Sequence, residues 1–346
     1  MRTKCKGKST VFFADPPRII SGGTIVGDVE AKGPLGSYFD IALDDDTWGE
    51  GTWEKAERKM FEHAVRTAVE KGGLTPMQVD ILLGGDLLNQ IISANFAARE
   101  LEIPFLGLYG ACSTMAEGML IGSMLIDGGF ADRVACAASS HFSTAERQYR
   151  LPLEMGSQAV PTSQRTVTGA GCALLSGSGC TDKGSLSSVC IAGGVIGRVV
   201  DLGITDAANM GAAMAPAAYE TLRAHFADTG RTPADYAAII TGDLGKIGHE
   251  ILTDLFLRDG VDLGVCSTDC GMLIFNPETQ DVHAGGSGCG CSASVLCGHI
   301  LQRMTCGDWP RVLFAATGAL MSPTTSQQGE SIPGICHAVV LDVDRG

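Results

Sequence analysis

The chain is organised around Gly110-Ala111-Cys112-Ser113-Thr114, which joins an apolar run (104–109) to a helix-like run (115–126). A cysteine at a strand-to-helix junction lies near unpaired backbone N–H groups and the positive end of the helix dipole, which favour a thiolate or a bound anion. Cys112 is therefore predicted to be a nucleophile or to hold a carboxylate. The alternative is a small, buried apolar side chain, as most free cysteines are.

Composition limits the functional classes. The 346 residues suffice for one large or two ordinary domains, and the net charge of -14 argues against nucleic acid as a partner. The 13 cysteines are an odd number and are scattered through apolar segments, which predicts a reducing compartment without disulfides. Neither Cys266 and Cys270 nor Cys289 and Cys291 have the spacing of a structural zinc site, so we expect no metal and no other cofactor.

No segment of the sequence predicts direct insertion into a membrane. Residues 1–9 are basic but lead straight to Asp15-Pro16-Pro17, so we expect no signal peptide. The longest apolar run (115–126) is too short to cross a bilayer, so we expect no transmembrane segment. A role at a membrane would therefore require a partner.

Strand-like and helix-like segments alternate along the first half, which predicts a parallel sheet covered by helices, an α/β fold. Residues 10–50 are rich in Gly, Pro and Asp and predict irregular structure with short strands. The predicted elements that follow are helix 53–71, a helical turn at 75–76, strand 79–83, helix 91–101, strand 105–109, the helix opened by Cys112, and strand 134–138.

A repeat is the strongest internal signal. Residues 75–87 and 232–244 each begin with Thr-Pro and end with Gly-Asp-Leu at the same spacing. Further on, Cys112-Ser113, the helix after it and Arg133-Val134 have a counterpart in Cys291-Ser292, the helix through Leu301 and Arg311-Val312. The two intervals differ in length by one residue. These matches predict a duplicated βαβαβ fold.

The predicted halves are residues 1–185 and 186–346.

In a duplicated fold of this kind the loops at the carboxyl ends of the strands converge near the pseudo-dyad, where ligands bind. The groups expected around this pocket are Asp86, Cys112, Asp243 and the glycine-rich loop 285–290. As alternatives, each aspartate caps the following helix, and the loop serves tight packing between the halves.

This organisation resembles the thiolase superfamily, which includes the β-ketoacyl synthases. Ala111-Cys112-Ser113 looks like the nucleophile motif of these synthases, and residues 169–173 (Gly-Ala-Gly-Cys-Ala) are similar to their strand-adjacent glycine motif. The resemblance implies a thiolase-like, five-layered αβαβα fold. In the synthases the cysteine attacks an acyl thioester, while a His and a second His or an Asn stabilise the oxyanion.

The sequence departs from the synthase pattern in its second half. Asp243 stands where the synthases carry a His, and Ser287 lies in the loop that should supply an Asn or His. An aspartate would repel a developing oxyanion, and a serine is a weak substitute for an amide donor. His141 is the one nearby imidazole, either as a general base or as a polar surface residue. We therefore expect a non-catalytic protein, with an acyltransferase that uses Cys112 as the alternative.

The departures as well as the framework are similar to the stage V sporulation protein AD family of endospore-forming bacteria. The stretches that carry this resemblance are 33–36, 85–90, 103–105, 110–114, 126–131, 144–148, 201–206, 214–218, 285–289 and 330–333. The resemblance implies binding of dipicolinic acid, free or as its calcium chelate, in a channel assembly of the spore inner membrane. It also implies dipicolinate import during sporulation, release in germination, a peripheral location and membrane-spanning partners from the same operon. Homodimers are usual in the superfamily.

Dipicolinate is a flat ring with two carboxylates, so its site needs donors at both ends. Backbone N–H groups at 112–114 are candidates for one carboxylate, and the loop 285–290 for the other. Asp86 and Asp243 would be protonated by burial, hold donors in place or ligate calcium, and the sequence leaves these alternatives open. The predicted ligand-binding set is Asp86, Cys112, Ser113, Thr114, His141, Asp243, Gly286 and Ser287, with Arg147, Arg150 and Arg165 as candidates for charge compensation. A structural adaptor with a vestigial pocket is a third reading.

Overall fold

The computed structural model describes residues 3–149, 160–182 and 184–344. The strands are β1 (Cys5–Lys6), β2 (Thr10–Phe12), β3 (Arg18–Val26), β4 (Ile41–Ala42), β5 (Ile81–Gly85), β6 (Phe105–Gly107), β7 (Arg133–Ser140), β8 (Arg165–Thr166), β9 (Gly169–Ser176), β10 (Val189–Val195), β11 (Ala238–Thr241), β12 (Ser267–Asp269), β13 (Gly286–Ser287), β14 (Arg311–Ala319) and β15 (Gly334–Val343). The helices are α1 (Asp28–Ala31), α2 (Trp53–Lys71), α3 (Ile92–Leu101), α4 (Thr114–Asp127), α5 (Phe142–Tyr149), α6 (Met210–Thr229), α7 (Gly245–Arg258), α8 (Cys270–Ile274), α9 (Cys289–Val295), α10 (Leu301–Thr305) and α11 (Pro323–Gln327).

The two halves of the sheet have the same topology. In the first half the spatial order is β6-β5-β7-β9-β3, and in the second it is β12-β11-β14-β15-β10. In each half four strands run in one direction, and the fourth strand of the order, β9 or β15, runs antiparallel to both of its neighbours. The predicted duplication is thus present in the strand order. β3 and β10 pair antiparallel and join the halves, and the proposed boundary at 185/186 lies just before β10.

Helices and sheets form five layers. α2 and α3 pack on the outer face of the first half, and α6 and α7 pack on the outer face of the second. α4 and α9 lie in the middle and contact strands of both halves. Met115 and Met119 of α4 are fully buried, as expected for a helix enclosed on both sides rather than exposed along one face.

One segment differs from its prediction. Residues 10–50 were expected to hold short strands, but β3 is nine residues long and every residue after Arg18 is buried. Its glycines resemble turn residues in the sequence. In the structure they let α2 approach the sheet, since a Cβ on Gly23 would lie 2.3 Å from the Ala64 carbonyl oxygen.

The repeated sequence forms a repeated structure. Thr75 and Gln78 form a capping box around a short 3-10 turn before β5, and Thr232 and Asp235 form the same box before β11. All thirteen cysteines are free thiols in the structure. In the described ranges, the helices are too short or too polar to span a bilayer.

Candidate functional site

Cys112 lies in a short 3-10 turn between β6 and α4. Ala111 holds this turn in a left-handed conformation (φ 51°), which is strained for a residue with a Cβ atom. The second half supports it from both sides. The Cys289 thiol donates to the Ala111 carbonyl at 3.0 Å, and Gly318 of β14 packs so closely that a Cβ there would lie 2.6 Å from the Gly110 carbonyl oxygen. The position of Cys112 therefore depends on the contact between the halves.

A cavity of about 300 Å³ opens beside Cys112. It is lined by Leu87, Asn89, Tyr109, Ala111, Cys112, Ala145, Glu146, Tyr149, Thr166, Met210, Ser287, Ala319, Leu320, Met321 and Ser322. Among the residues that the structure describes, this lining is apolar or neutral apart from Glu146 and contains no Lys, Arg or His. Of the predicted ligand-binding residues, Cys112 and Ser287 are in this lining, and the other six lie behind it or elsewhere.

The environment of Cys112 keeps its thiol protonated. A hydrogen bond with Cys289, burial and the negative charge of Asp243 together raise the pKa of Cys112 well above its usual value. The helix terminus was expected to favour a thiolate, and this expectation is wrong. The dipole at a helix end supplies only a modest stabilisation, which full burial beside a carboxyl group outweighs.

Ser113 and Thr114 close the turn around Cys112. The Ser113 hydroxyl donates to the Gly110 carbonyl at 2.7 Å, and the Thr114 hydroxyl donates to the Ala111 carbonyl at the same distance. The backbone N–H groups of both residues also donate to these two carbonyls. These donors stabilise the start of α4 and are absent from the cavity lining, so a role in ligand binding stays a prediction.

Asp86 is buried behind the cavity and organises the loop before α3. Its carboxylate accepts from the Leu88 N–H at 2.8 Å and from the Ala94 N–H at 2.7 Å. Because Ala94 lies in the first turn of α3, this arrangement resembles the predicted alternative that Asp86 caps the following helix. Burial raises the pKa of Asp86 to about 6. The neighbouring Glu57 is also fully buried, and burial together with the charge of Asp86 raises the pKa of Glu57 to about 8.

Asp243 holds hydrogen-bond donors in place. It accepts from the Thr317 hydroxyl at 2.7 Å, the Ser287 hydroxyl at 2.9 Å and the Gly288 N–H at 3.1 Å. Burial raises the pKa of Asp243. The alternatives for this aspartate were protonation caused by burial, positioning of hydrogen-bond donors and calcium ligation. The geometry agrees with the first two. Its oxygens face protein donors, and Asp243 itself is not in the cavity lining.

The glycine-rich loop 285–290 packs the two halves together. A Cβ on Gly290 would lie 2.3 Å from the Gly169 carbonyl oxygen, and the Gly290 N–H donates to the Ser140 hydroxyl at 3.0 Å. Gly286 is buried in β13, outside the cavity lining. The glycines of this loop are therefore explained by the alternative prediction, that they allow tight packing between the halves.

His141 is a core residue. It is fully buried, its Nε2 donates to the Asp46 carbonyl at 2.6 Å, and its Nδ1 accepts from the Ser143 N–H at 3.1 Å. Burial lowers the pKa of His141, which keeps the ring neutral. The reading of His141 as a polar surface residue is wrong, and both of its ring nitrogens already have protein partners.

The arginines proposed for charge compensation do not line the cavity where the structure describes them. Arg147 forms an ion pair with Glu54 on α2. Arg165 stacks over the Phe142 ring at 4.0 Å and lies on the wall of a different, acidic cavity. Arg150 lies outside the described residues.

One wall of the cavity contains none of the residues predicted from the sequence. Gln148 and Tyr149 at the end of α5 hold the segment after β5: the Gln148 amide and the Tyr149 hydroxyl donate to the Leu87 carbonyl at 3.1 and 2.5 Å. Gln148 Oε1 also accepts from the Asn89 N–H at 3.0 Å. The only signal in the sequence was that 85–90 and 144–148 both belong to the stretches that carry the family resemblance.

Comparisons with known proteins agree with this fold. The model of the stage V sporulation protein AD family matches residues 7–342. Stage V sporulation protein AD of Bacillus subtilis (strain 168) is 48% identical over 339 residues, which cover 98% of each chain.

Two solved structures share the fold at low identity. 3-Oxoacyl-[acyl-carrier-protein] synthase III from Aquifex aeolicus has a TM-score of 0.58 at 14% identity and covers 94% of this chain and 99% of its own. Human mitochondrial 3-ketoacyl-CoA thiolase in complex with CoA has a TM-score of 0.61 at 12% identity and covers 97% of this chain and 100% of its own. The predicted thiolase-like α/β fold is confirmed. The chain belongs to the stage V sporulation protein AD family.

Proposed function

We propose that the cavity beside Cys112 binds dipicolinate, free or as its calcium chelate, without chemical turnover. In this proposal the protein is part of a channel assembly of the spore inner membrane, where it supports dipicolinate import during sporulation and its release in germination. The observation that carries the proposal is the small, largely neutral cavity in a member of a sporulation family.

The size of the cavity suits a ligand with one ring. Its volume of about 300 Å³ is at the lower end of the range for small-molecule pockets. Tyr109 and Tyr149 contribute aromatic surface for a flat pyridine ring, and Asn89 and Thr166 contribute polar groups. These features support an aromatic carboxylate better than a long acyl chain.

The state of Cys112 supports binding without turnover. Acyl transfer needs an activated thiolate and groups that stabilise an oxyanion. The Cys112 pKa is raised by Cys289 and by burial, and the described cavity lining contains no imidazole. Asp243 accepts hydrogen bonds where a synthase would donate them. The shared fold keeps acyl transfer through Cys112 as the alternative function.

The proposed partners follow from the family resemblance. A channel needs membrane-spanning subunits, and the resemblance implies that the same sporulation operon supplies them. In this proposal the protein lies peripherally on the spore or forespore inner membrane. Association into homodimers, usual in the superfamily, belongs to the same proposal.

Calorimetric titration with dipicolinate, with and without calcium, tests the binding role. We expect saturable binding to the unchanged protein and weaker binding to Cys112→Ala and Asp86→Asn. Cys306→Ala is the matched control, because Cys306 is exposed and lies outside the cavity lining. Absence of heat with the folded, unchanged protein under both conditions would falsify the binding role.

Incubation with acyl-coenzyme A thioesters, followed by mass spectrometry, tests the alternative. We expect no acyl group on Cys112. A label that is present in the unchanged protein and absent from Cys112→Ala would establish transfer chemistry instead. If sporulating cells that carry Cys112→Ala or Asp86→Asn accumulate normal dipicolinate, the adaptor reading replaces both.

A further inference from the structure

Two hydroxyl groups on the cavity wall direct their hydrogens away from a ligand. The Ser287 hydroxyl donates to Asp243, and the Tyr149 hydroxyl donates to the Leu87 carbonyl. Because a hydroxyl carries a single hydrogen, these groups offer lone pairs to the cavity. A ligand carboxylate also offers only lone pairs, so it needs a donor from somewhere else on the wall.

Asn89 has the geometry to supply this donor. Gln148 fixes its backbone through the 3.0 Å hydrogen bond to the Asn89 N–H, and the Tyr109 hydroxyl lies 3.4 Å from Asn89 Oδ1, to which it donates. With its oxygen engaged in this way, the amide has an orientation in which Nδ2 and its two hydrogens remain for another acceptor. Asn89 is exposed and lies in the cavity lining, so a ligand can reach it.

We propose that Asn89 is the specificity-determining residue for a carboxylate ligand, whose oxygen accepts from Asn89 Nδ2. This inference rests on the proposed function and assigns to one side chain the recognition of a carboxylate group. Among the described lining residues, Asn89 is the one side-chain amide, and Lys, Arg and His are absent. Gln148 and Tyr109 act as positioning residues for it.

Two substitutions with opposite expectations test the role. Asn89→Ala removes the donor and should weaken dipicolinate binding by roughly tenfold to a hundredfold, the usual value of a hydrogen bond to a charged group. Asn89→Asp keeps the shape and the oxygen that accepts from Tyr109, but places a carboxylate against the ligand carboxylate. It should therefore bind dipicolinate more weakly than Asn89→Ala.

A structural role for Asn89 predicts the reverse order, because Asp preserves the local hydrogen bond and Ala does not. Gln302→Glu is the control for the added charge, since Gln302 is exposed on α10 and lies outside the cavity lining. Titration of all four proteins with dipicolinate gives separate outcomes. Binding by the unchanged chain together with unchanged affinity of Asn89→Asp overturns the role of Asn89 alone. No binding by the folded, unchanged chain overturns the proposed function, and this inference with it.

Discussion

The Ser287 hydroxyl donates a 2.9 Å hydrogen bond to Asp243 Oδ2, which connects a cavity-lining residue to a fully buried carboxyl group. Thr317 donates to the other oxygen of Asp243 from β14. The carboxyl group thus joins the loop 285–290 to the central sheet of the second half. It also contributes, after Cys289 and burial, to the raised pKa of Cys112.

Asp243→Asn should destabilise the fold by about 1–3 kcal/mol, because an amide has one acceptor oxygen where three donors converge, and at least one buried group loses its partner. Urea unfolding of the variant and of the unchanged protein measures the difference in the free energy of unfolding. Asp281→Asn is the control, since its side chain is 91% exposed and should change stability by less than about 0.5 kcal/mol. Equal effects of the two changes would contradict the assigned role of Asp243.

Alkylation by iodoacetamide should be slow at Cys112 near neutral pH. The thiolate is the reactive form, and each unit by which the pKa rises lowers its population about tenfold. Cys306 is exposed and should react first. Site-resolved mass spectrometry over a time course separates the two residues. Faster modification of Cys112 than of Cys306 in the folded protein would show that the thiol is activated after all.

The buried Glu57 should make stability fall as the pH rises. Its pKa is raised from 4.5 to about 8, so between these values the folded chain holds a proton that the unfolded chain has released. In this window the contribution of Glu57 to the free energy of unfolding decreases with pH. Glu57→Gln should reduce the loss of stability between about pH 5 and about pH 8 by at most about 1.4 kcal/mol per pH unit.

Urea unfolding at both pH values measures this effect. Glu70→Gln on the same helix is the matched control, because Glu70 is exposed. A pH dependence that Glu57→Gln leaves intact would mean that other groups cause it, and Asp86 would then be the first to examine.

Gly318→Ala should disturb the Cys112 turn from the other half of the protein. The added methyl group would lie 2.6 Å from the Gly110 carbonyl oxygen, and such overpacking typically costs about 1–3 kcal/mol. We expect lower stability and weaker dipicolinate binding. Gly51→Ala, with no atom within 4 Å of the new methyl group, serves as the neutral comparison. Unchanged stability of Gly318→Ala would show that the halves adjust freely at this contact.

The duplicated architecture was predictable from the sequence because it depends on local patterns. The Thr-Pro and Gly-Asp-Leu spacing around Asp86 recurs around Asp243, and each copy forms the same turn, strand and buried carboxyl group. The helical periodicity of α2 and the strand-to-helix junction at Cys112 were likewise visible, since they involve neighbouring residues only. The glycines of β3 were misread, because their contact with α2 is not local.

Local patterns and their spacing were enough to predict the duplication, the order of the elements and the family resemblance. Which side chains form the cavity depends on tertiary packing, since Asn89, Tyr149 and Ser287 come from segments far apart in the chain. It also decided the protonation of Cys112. Burial and the approach of Cys289 raise its pKa, and neither effect can be read from the residues next to Cys112 in the sequence.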